Sequence, residues 1–216
     1  MSGPVGPLHA EARKALSEAT ECYERDQDAA LDYLHGRGLE GALVARMRLG
    51  RVCSPLPGHE GYAGRLAIPS LGWDGQPYAL RFRCIEDHEC KAEGHPKYVG
   101  LSSTSVRLFN LRSVHEAGDD ICITEGEIDA LSLEQCGLRA VGVPGANLWK
   151  AHHPRMFSGF ARVWVFGDGD AAGAAFARTV CDSLVAASSV PVPEGMDVNS
   201  VLVEHGGQAV LDLIRR

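Results

Sequence analysis

Val163-Trp164-Val165-Phe166-Gly167-Asp168-Gly169-Asp170-Ala171-Ala172-Gly173 is the stretch that decides how this chain folds. Four apolar residues in succession read as a strand buried on both faces, and the glycines and aspartates after them read as the turn into a helix. Two carboxylates with one glycine between them project from one side of such a loop. The glycines also let a phosphate or another backbone approach closely. The competing reading is an aspartate helix cap among loop glycines. After so apolar a strand, the functional reading is preferred.

Outward from this stretch the same grammar repeats. Ile121–Thr124 is a strand leading through Glu125-Gly126-Glu127-Ile128-Asp129 into a helix over 127–137. A strand at 139–143, a short helix near 149–157, the strand at 162–167, a helix at 171–187 and a strand near 189–192 follow. Pro193-Glu194-Gly195-Met196-Asp197-Val198-Asn199 then opens helices at 197–205 and 207–215. Strands alternating with helices indicate an α/β fold, a parallel sheet with flanking helices. Glu125, Asp168, Asp170 and Asp197 all stand where a strand gives way to a loop or helix, the edge where open α/β sheets place ligands. Acids gathered there repel one another unless a proton or cation joins them, and such oxygen ligands suit Mg²⁺ or Mn²⁺. Glu127 is read as an acid favoured by the helix macrodipole, Asp129 as a second-rank ligand, and Asp197 alone could be a helix cap.

Residues 1–118 read differently. Residues 1–7 are expected to be a disordered tail, followed by helical patterns over 8–34 and 41–48 and then β-rich chain from 51 to 113. Asp74-Gly75 marks a hairpin between Arg65–Pro69 and Tyr78–Arg83, whose alternation sets Tyr78, Leu80 and Phe82 against Arg81 and Arg83. The boundary is placed near residue 118, giving domains 1–118 and 119–216. The net charge is −7, so the chain is not a globally basic nucleic-acid binder, but residues 36–113 carry +4 and residues 119–216 carry −6. A basic front half joined to an acidic back half fits a nucleic-acid groove beside a metal site, and equally two ordinary solvated surfaces. The seven scattered cysteines, the lack of a secretory signal pattern and the lack of a membrane-length apolar run point to a reducing cytoplasm and no membrane.

The three acidic motifs, in this order, resemble the Toprim domain over residues 119 to about 205. Glu125-Gly126-Glu127-Ile128-Asp129 is similar to the Glu-Gly-x-x-Asp motif of DnaG-type and phage primases, Asp168-Gly169-Asp170-Ala171-Ala172-Gly173 to their Asp-Gly-Asp-x-Ala-Gly, and Asp197-Val198-Asn199 to the third motif in its phage form. The front half resembles the small basic subdomain that precedes Toprim in bacterial primases. Tyr33-Leu34-x-x-Arg37-Gly38-Leu39, Gly64-Arg65-Leu66-x-Ile68-Pro69, Pro96-Lys97-Tyr98 and Leu108-Phe109-Asn110-Leu111 carry that likeness.

The resemblance implies a primase core in a bacterial or phage-infected cell, making RNA primers from NTPs on a single-stranded DNA template. Asp168 and Asp170 would be the main Mg²⁺ or Mn²⁺ ligands with Asp197 assisting, and Glu125 would ligate metal or act as general base. Arg65, Arg83 and Lys97 would face template or triphosphate as a basic wall. The family's zinc ribbon and helicase-binding domain have no counterpart here, so either a separate zinc-ribbon protein and a replicative helicase are partners, or the activity is altered. A Toprim nuclease and a non-catalytic metal- or nucleotide-binding replisome subunit are the alternatives.

Two features stand outside this reading. Cys84, His88, Cys90 and His95 fall within twelve residues and could bind zinc, but their spacing is no Cys-x-x-Cys knuckle, and an ordinary polar loop is preferred. His152-His153 could touch a nucleotide, with a surface loop the preferred reading.

Overall fold

A computed structural model describes residues 8–101 and 107–215, so the expected tail at 1–7 lies outside the described residues. The chain divides into two compact units: Met1–His35 with Gly41–Val106, and Gly36–Glu40 with Arg107–Arg216.

The first unit holds helices α1 (Ala10–Glu24), α2 (Asp28–Gly36) and α3 (Gly41–Arg46) and an antiparallel sheet. Its strands β1 (Gly50–Arg51), β2 (Leu66–Leu71), β3 (Pro77–Arg83) and β4 (Tyr98–Gly100) lie in the order β1-β2-β3-β4. Leu16, Ala19 and Tyr23 of α1 pack on Val52, Ala67, Leu80, Phe82 and Leu101, which bury one face of the sheet. Pro69 is tolerated in a central strand because β1 pairs only with Leu66 and Ala67, leaving no ladder partner for the missing N–H. The hairpin at Asp74-Gly75 forms as expected, with Gly75 at φ 73°.

Arg83 departs from expectation. Alternation along β3 put it on an open face, yet it is 5% exposed. Tyr98, its cross-strand partner on β4, covers it. The Arg83 guanidinium lies 5.0 Å from the Tyr98 ring and 5.9 Å from the Tyr33 ring of α2, and donates to the Tyr98 hydroxyl. A second aromatic layer has closed a face that the strand pattern alone leaves open.

The second unit is the α/β half. Strands β5 (Asp120–Thr124), β6 (Ala140–Gly142), β7 (Arg162–Phe166) and β8 (Ala187–Val190) form a wholly parallel sheet in the order β6-β5-β7-β8. Helices α4 (Arg112–Glu116), α5 (Glu127–Gln135), α6 (Ala171–Cys181) and α7 (Val198–Leu213) accompany it. Ile121, Ile123, Val141, Val163 and Val165 meet Phe157, Phe176 and Val180 in its core. The two expected C-terminal helices form, and α7 comprises both, broken at Gly206, whose φ of 80° and ψ of 169° are not helical and suit glycine. Helix α6 ends earlier than the apolar pattern implies, so β8 also begins earlier.

The unit boundary falls at 106/107 rather than near 118. Leu108-Phe109-Asn110 belongs with the parallel sheet: Phe109 bridges Gly142, and Asn110 Nδ2 donates to Glu134 Oε1 at 3.1 Å and Ala140 O at 2.9 Å. Buried Glu134 also accepts from Ala140 N and, at 3.0 Å, from Arg139 Nη1. Composition cannot signal such a buried polar knot, because its members look like loop residues. Gly36–Glu40 joins the same unit through α7, as described next.

Candidate active site

Because the sheet is parallel, every strand ends at the same edge. Thr124 pairs with Phe166 and Phe166 with Val190, so β5, β7 and β8 stop in register. Glu125 follows the first, Asp168 and Asp170 the second, and Asp197 comes at the end of the loop after the third. The loops are locked to one another through glycine. Gly169 N donates to Met196 O at 2.7 Å, and Gly195 N donates to Gly169 O at 2.9 Å. A Cβ on Gly169 would stand 2.0 Å from Pro193 O, and one on Gly173 would stand 2.2 Å from the Asp168 backbone. The glycine spacing of the Asp-Gly-Asp motif is therefore a packing requirement: it lets the third acidic loop and the start of α6 close onto Asp168.

The four acids form one electrostatic cluster. Burial pushes the Glu125 carboxyl above its usual range, and Asp168 and Asp170 push it further, while the Asp168 backbone N–H pulls the other way. Glu125 Oε2 is buried with no hydrogen-bond partner. Burial likewise raises Asp168, reinforced by Asp197 and Asp170. Asp170 caps α6, accepting from Gly173 N at 2.8 Å through Oδ1. Asp197 caps α7, its Oδ1 accepting from Ser200 N and Oγ at 2.6 Å each. The helix-cap reading thus holds for both aspartates through one oxygen each, alongside their membership of the cluster. A buried, orphaned carboxylate oxygen beside like charges suits a divalent cation, which Glu125, Asp168, Asp170 and Asp197 would hold. A cavity of about 350 Å³, lined by Asp168, Asp170, Val190, Pro191 and Glu194 among others, opens beside the motif.

Asp129 and Asn199 are engaged elsewhere. Asp129 Oδ1 accepts from Asn199 N at 3.1 Å, which positions the first turn of α7. Asn199 is 1% exposed. Its Nδ2 donates to Arg37 O at 2.8 Å and Ser132 Oγ at 2.9 Å, and its Oδ1 accepts from Arg37 Nη1 at 3.1 Å. With Glu40 N donating to Gln135 Oε1 at 3.0 Å, this pins Gly36–Glu40 onto the parallel-sheet unit. Sequence reasoning registered Asn199 only as part of the third motif in its phage form. The signal available was its pairing with Arg37-Gly38, distant in sequence and unreadable from one chain.

The basic trio shares the first unit. Arg65 Nη1 donates to Pro96 O at 3.1 Å and Lys97 O at 3.3 Å, so Arg65 braces the chain before β4. Arg83 is enclosed by tyrosines, which corrects its expected role in an open basic wall. Lys97 is exposed. His153 is buried, accepts from Lys150 N at 3.1 Å through Nδ1, and is held neutral by burial, its pKa lowered to about 4, so it is a loop anchor. Among the described residues, one set of three or more His, Cys, Asp or Glu side chains already converges to ligand distance, and it lies in the first unit: Cys84, His88, Cys90 and His95. No helix among the described residues is long and apolar enough to cross a membrane.

The Toprim-like family model matches residues 122–202, spanning all three acidic motifs. The Gene 57 protein of Mycobacterium phage D29 is 40% identical over 157 residues, covering 71% of this chain and 99% of that protein. The chain belongs to the Toprim-like family, with the primase-core architecture. A DNA primase of Pseudomonas putida is 27% identical over 263 residues, covering 99% of this chain and 39% of the primase, so the chain spans about two fifths of that relative. The RNA polymerase domain of Mycobacterium tuberculosis primase DnaG, solved with a double-stranded DNA oligomer carrying a 6-nucleotide overhang, superposes with a TM-score of 0.75 at 19% identity. That match covers 97% of this chain and 81% of the other, and it establishes the fold. Membership in this family accounts for the order of the three motifs.

Proposed function

We propose that the chain is a primase catalytic core that makes short RNA primers from NTPs on single-stranded DNA. One observation carries this reading: at the edge of the parallel sheet, burial and neighbouring acids raise the proton affinity of Glu125 and Asp168, and Glu125 keeps a buried oxygen without a partner. Such a cluster is held ready for cations rather than satisfied by the protein.

Primer synthesis forms a bond between a 3′-hydroxyl oxygen and an α-phosphorus and breaks the bond to pyrophosphate, with the hydroxyl proton leaving. A divalent ion, when bound, neutralises triphosphate charge and orders the attacking and leaving oxygens. Asp168 and Asp170 are assigned as its principal ligands and Asp197 as an assisting one. The helix caps fix the rotamers of Asp170 and Asp197 before any ligand arrives. Glu125, held above the usual carboxylate range by burial, serves as a further ligand or as acceptor of the hydroxyl proton. Lys97 is assigned to phosphate contact, and Arg65 and Arg83 are positioning residues that set the strand and loop carrying it. A zinc-ribbon protein and a replicative helicase are proposed as partners.

The test is primer synthesis on single-stranded DNA with NTPs and Mg²⁺ or Mn²⁺, with and without a separately supplied zinc-ribbon protein. Oligoribonucleotide products that vanish in D168N support the proposal. Cleavage of the DNA without NTPs would replace it with a nuclease. NTP binding without product under every condition would replace it with a non-catalytic replisome subunit.

A further inference from the structure

The turn between β3 and β4 runs through residues 84–97 without regular secondary structure, a length at which loops are usually functional, stapled or disordered. This one has its own small scaffold. Cys84 N donates to Lys97 O at 2.8 Å and His95 N to Cys90 O at 3.0 Å, so its two ends and its middle are drawn together. Inside it, one ligand atom from each of Cys84, His88, Cys90 and His95 lies within 4.8 Å of all the others. Cys84 and Cys90 are buried although they sit in a polar loop, and neither is in a disulfide.

We infer that Cys84, His88, Cys90 and His95 form a four-coordinate zinc site that staples this turn. The distances fit the metal. Zinc–sulfur and zinc–nitrogen bonds of about 2.3 and 2.0–2.1 Å at tetrahedral angles set a sulfur and a nitrogen ligand roughly 3.6 Å apart and two nitrogens roughly 3.3 Å apart. Cys84 Sγ stands 3.5 Å from His88 Nε2, and the two histidine Nε2 atoms stand 2.9 Å apart. Insertion of the ion needs the imidazoles to part by only a few tenths of an ångström.

The surroundings also fit. His95 Nδ1 lies 3.3 Å from Pro96 O, so a proton on Nδ1 donates to that carbonyl and leaves Nε2 for metal, the usual outer contact of a ligating histidine. Arg65 Nη2 also lies 3.3 Å from that Nδ1, but Arg65 has Pro96 O and Lys97 O as acceptors through Nη1. Metal binding therefore selects the tautomer in which Arg65 serves the carbonyls alone. With four protein ligands the site is closed, so its role is structural. It fixes the chain from Arg83 to Lys97, and a soft thiolate-imidazole set distinguishes it from the oxygen cluster of the second unit.

The experiment is metal analysis of the full chain purified without a metal-affinity tag, followed by cobalt substitution. About one zinc per chain is expected, falling to near zero in C84S and C90S and unchanged in C53S and D168N. The cobalt form should show the intense visible bands of a tetrahedral site with thiolate charge transfer. Should C84S fail to fold, H88A keeps the test alive, since His88 is exposed: it should lower zinc retention against a chelating dye at least tenfold while the chain stays folded. Purified wild-type protein that lacks zinc and takes up no cobalt, or that pairs Cys84 with Cys90 as a disulfide, would overturn the inference.

Discussion

The acids of the second unit and the arginines of the first are charged groups at comparable strand ends, held in opposite ways. Glu125 and Asp168 sit half-buried among like charges, and one Glu125 oxygen has no partner. Arg83 is enclosed by Tyr33 and Tyr98 and donates to the Tyr98 hydroxyl, its buried Nε alone lacking a hydrogen-bond acceptor, and Arg65 is bonded to backbone carbonyls. The contrast teaches where function resides. A charge left unsatisfied raises the energy of the empty protein and is ready for a ligand, whereas an engaged charge lowers that energy and serves the fold. Substitutions should separate the two: removing an unsatisfied charge should cost activity and no stability, and removing an engaged one the reverse.

D168N should show the largest effect. It keeps shape and removes the charge at the centre of the cluster, so primer synthesis should fall by about 10²–10³-fold or more, as when a preorganised electrostatic contact is lost. Thermal unfolding of the metal-free variant should match or exceed wild type. A stability loss large enough to explain the inactivity would break the comparison.

Asn199 sharpens it, because it lies in the third acidic motif but belongs with the engaged groups. N199A removes the hydrogen bonds from Asn199 to Arg37 O, Arg37 Nη1 and Ser132 Oγ, and should cost about 2–4 kcal/mol in denaturant unfolding. Residual metal affinity in the folded fraction should be unchanged. R83M should follow at about 2 kcal/mol, from two lost cation–π contacts and the lost hydrogen bond to the Tyr98 hydroxyl, with no change in the salt dependence of template binding. A change in that salt slope would return Arg83 to the template-contacting role and collapse the distinction.

The same contrast explains what the sequence disclosed. The parallel sheet and its acid-bearing turns were legible because each is a local pattern: an apolar run, a glycine, a carboxylate. Gly169 and Gly173 could be marked as sites of close approach, though the partners, Pro193 O and the Asp168 backbone, could not. The roles of Arg83 and Asn199 were illegible because they depend on Tyr98 and Arg37, which only the folded chain brings near. The convergence of Cys84, His88, Cys90 and His95 was illegible for a similar reason. Their spacing matches no short motif, and the turn itself supplies the convergence.

The smallest effect belongs to Glu125, and its sign is the most discriminating. Burial, with help from Asp168 and Asp170, makes the folded state hold this proton more tightly than the unfolded chain does. A carboxyl raised in this way favours the folded state fully below the unfolded value of about 4.3, and that advantage is lost as pH rises through the folded value. Metal-free wild type should therefore lose stability on going from the acid range towards neutrality. E125Q cannot ionise, so it should flatten that slope and melt higher than wild type at neutral pH. Added Mg²⁺ should invert the order by stabilising wild type more than the variant, because the cation binds where the proton did. Differential scanning calorimetry across pH, with and without Mg²⁺, reads both effects. If E125Q instead melts lower at neutral pH without metal, the Glu125 carboxylate is an engaged group like Arg83, and the acid cluster is part of the fold rather than a site kept open for a cation.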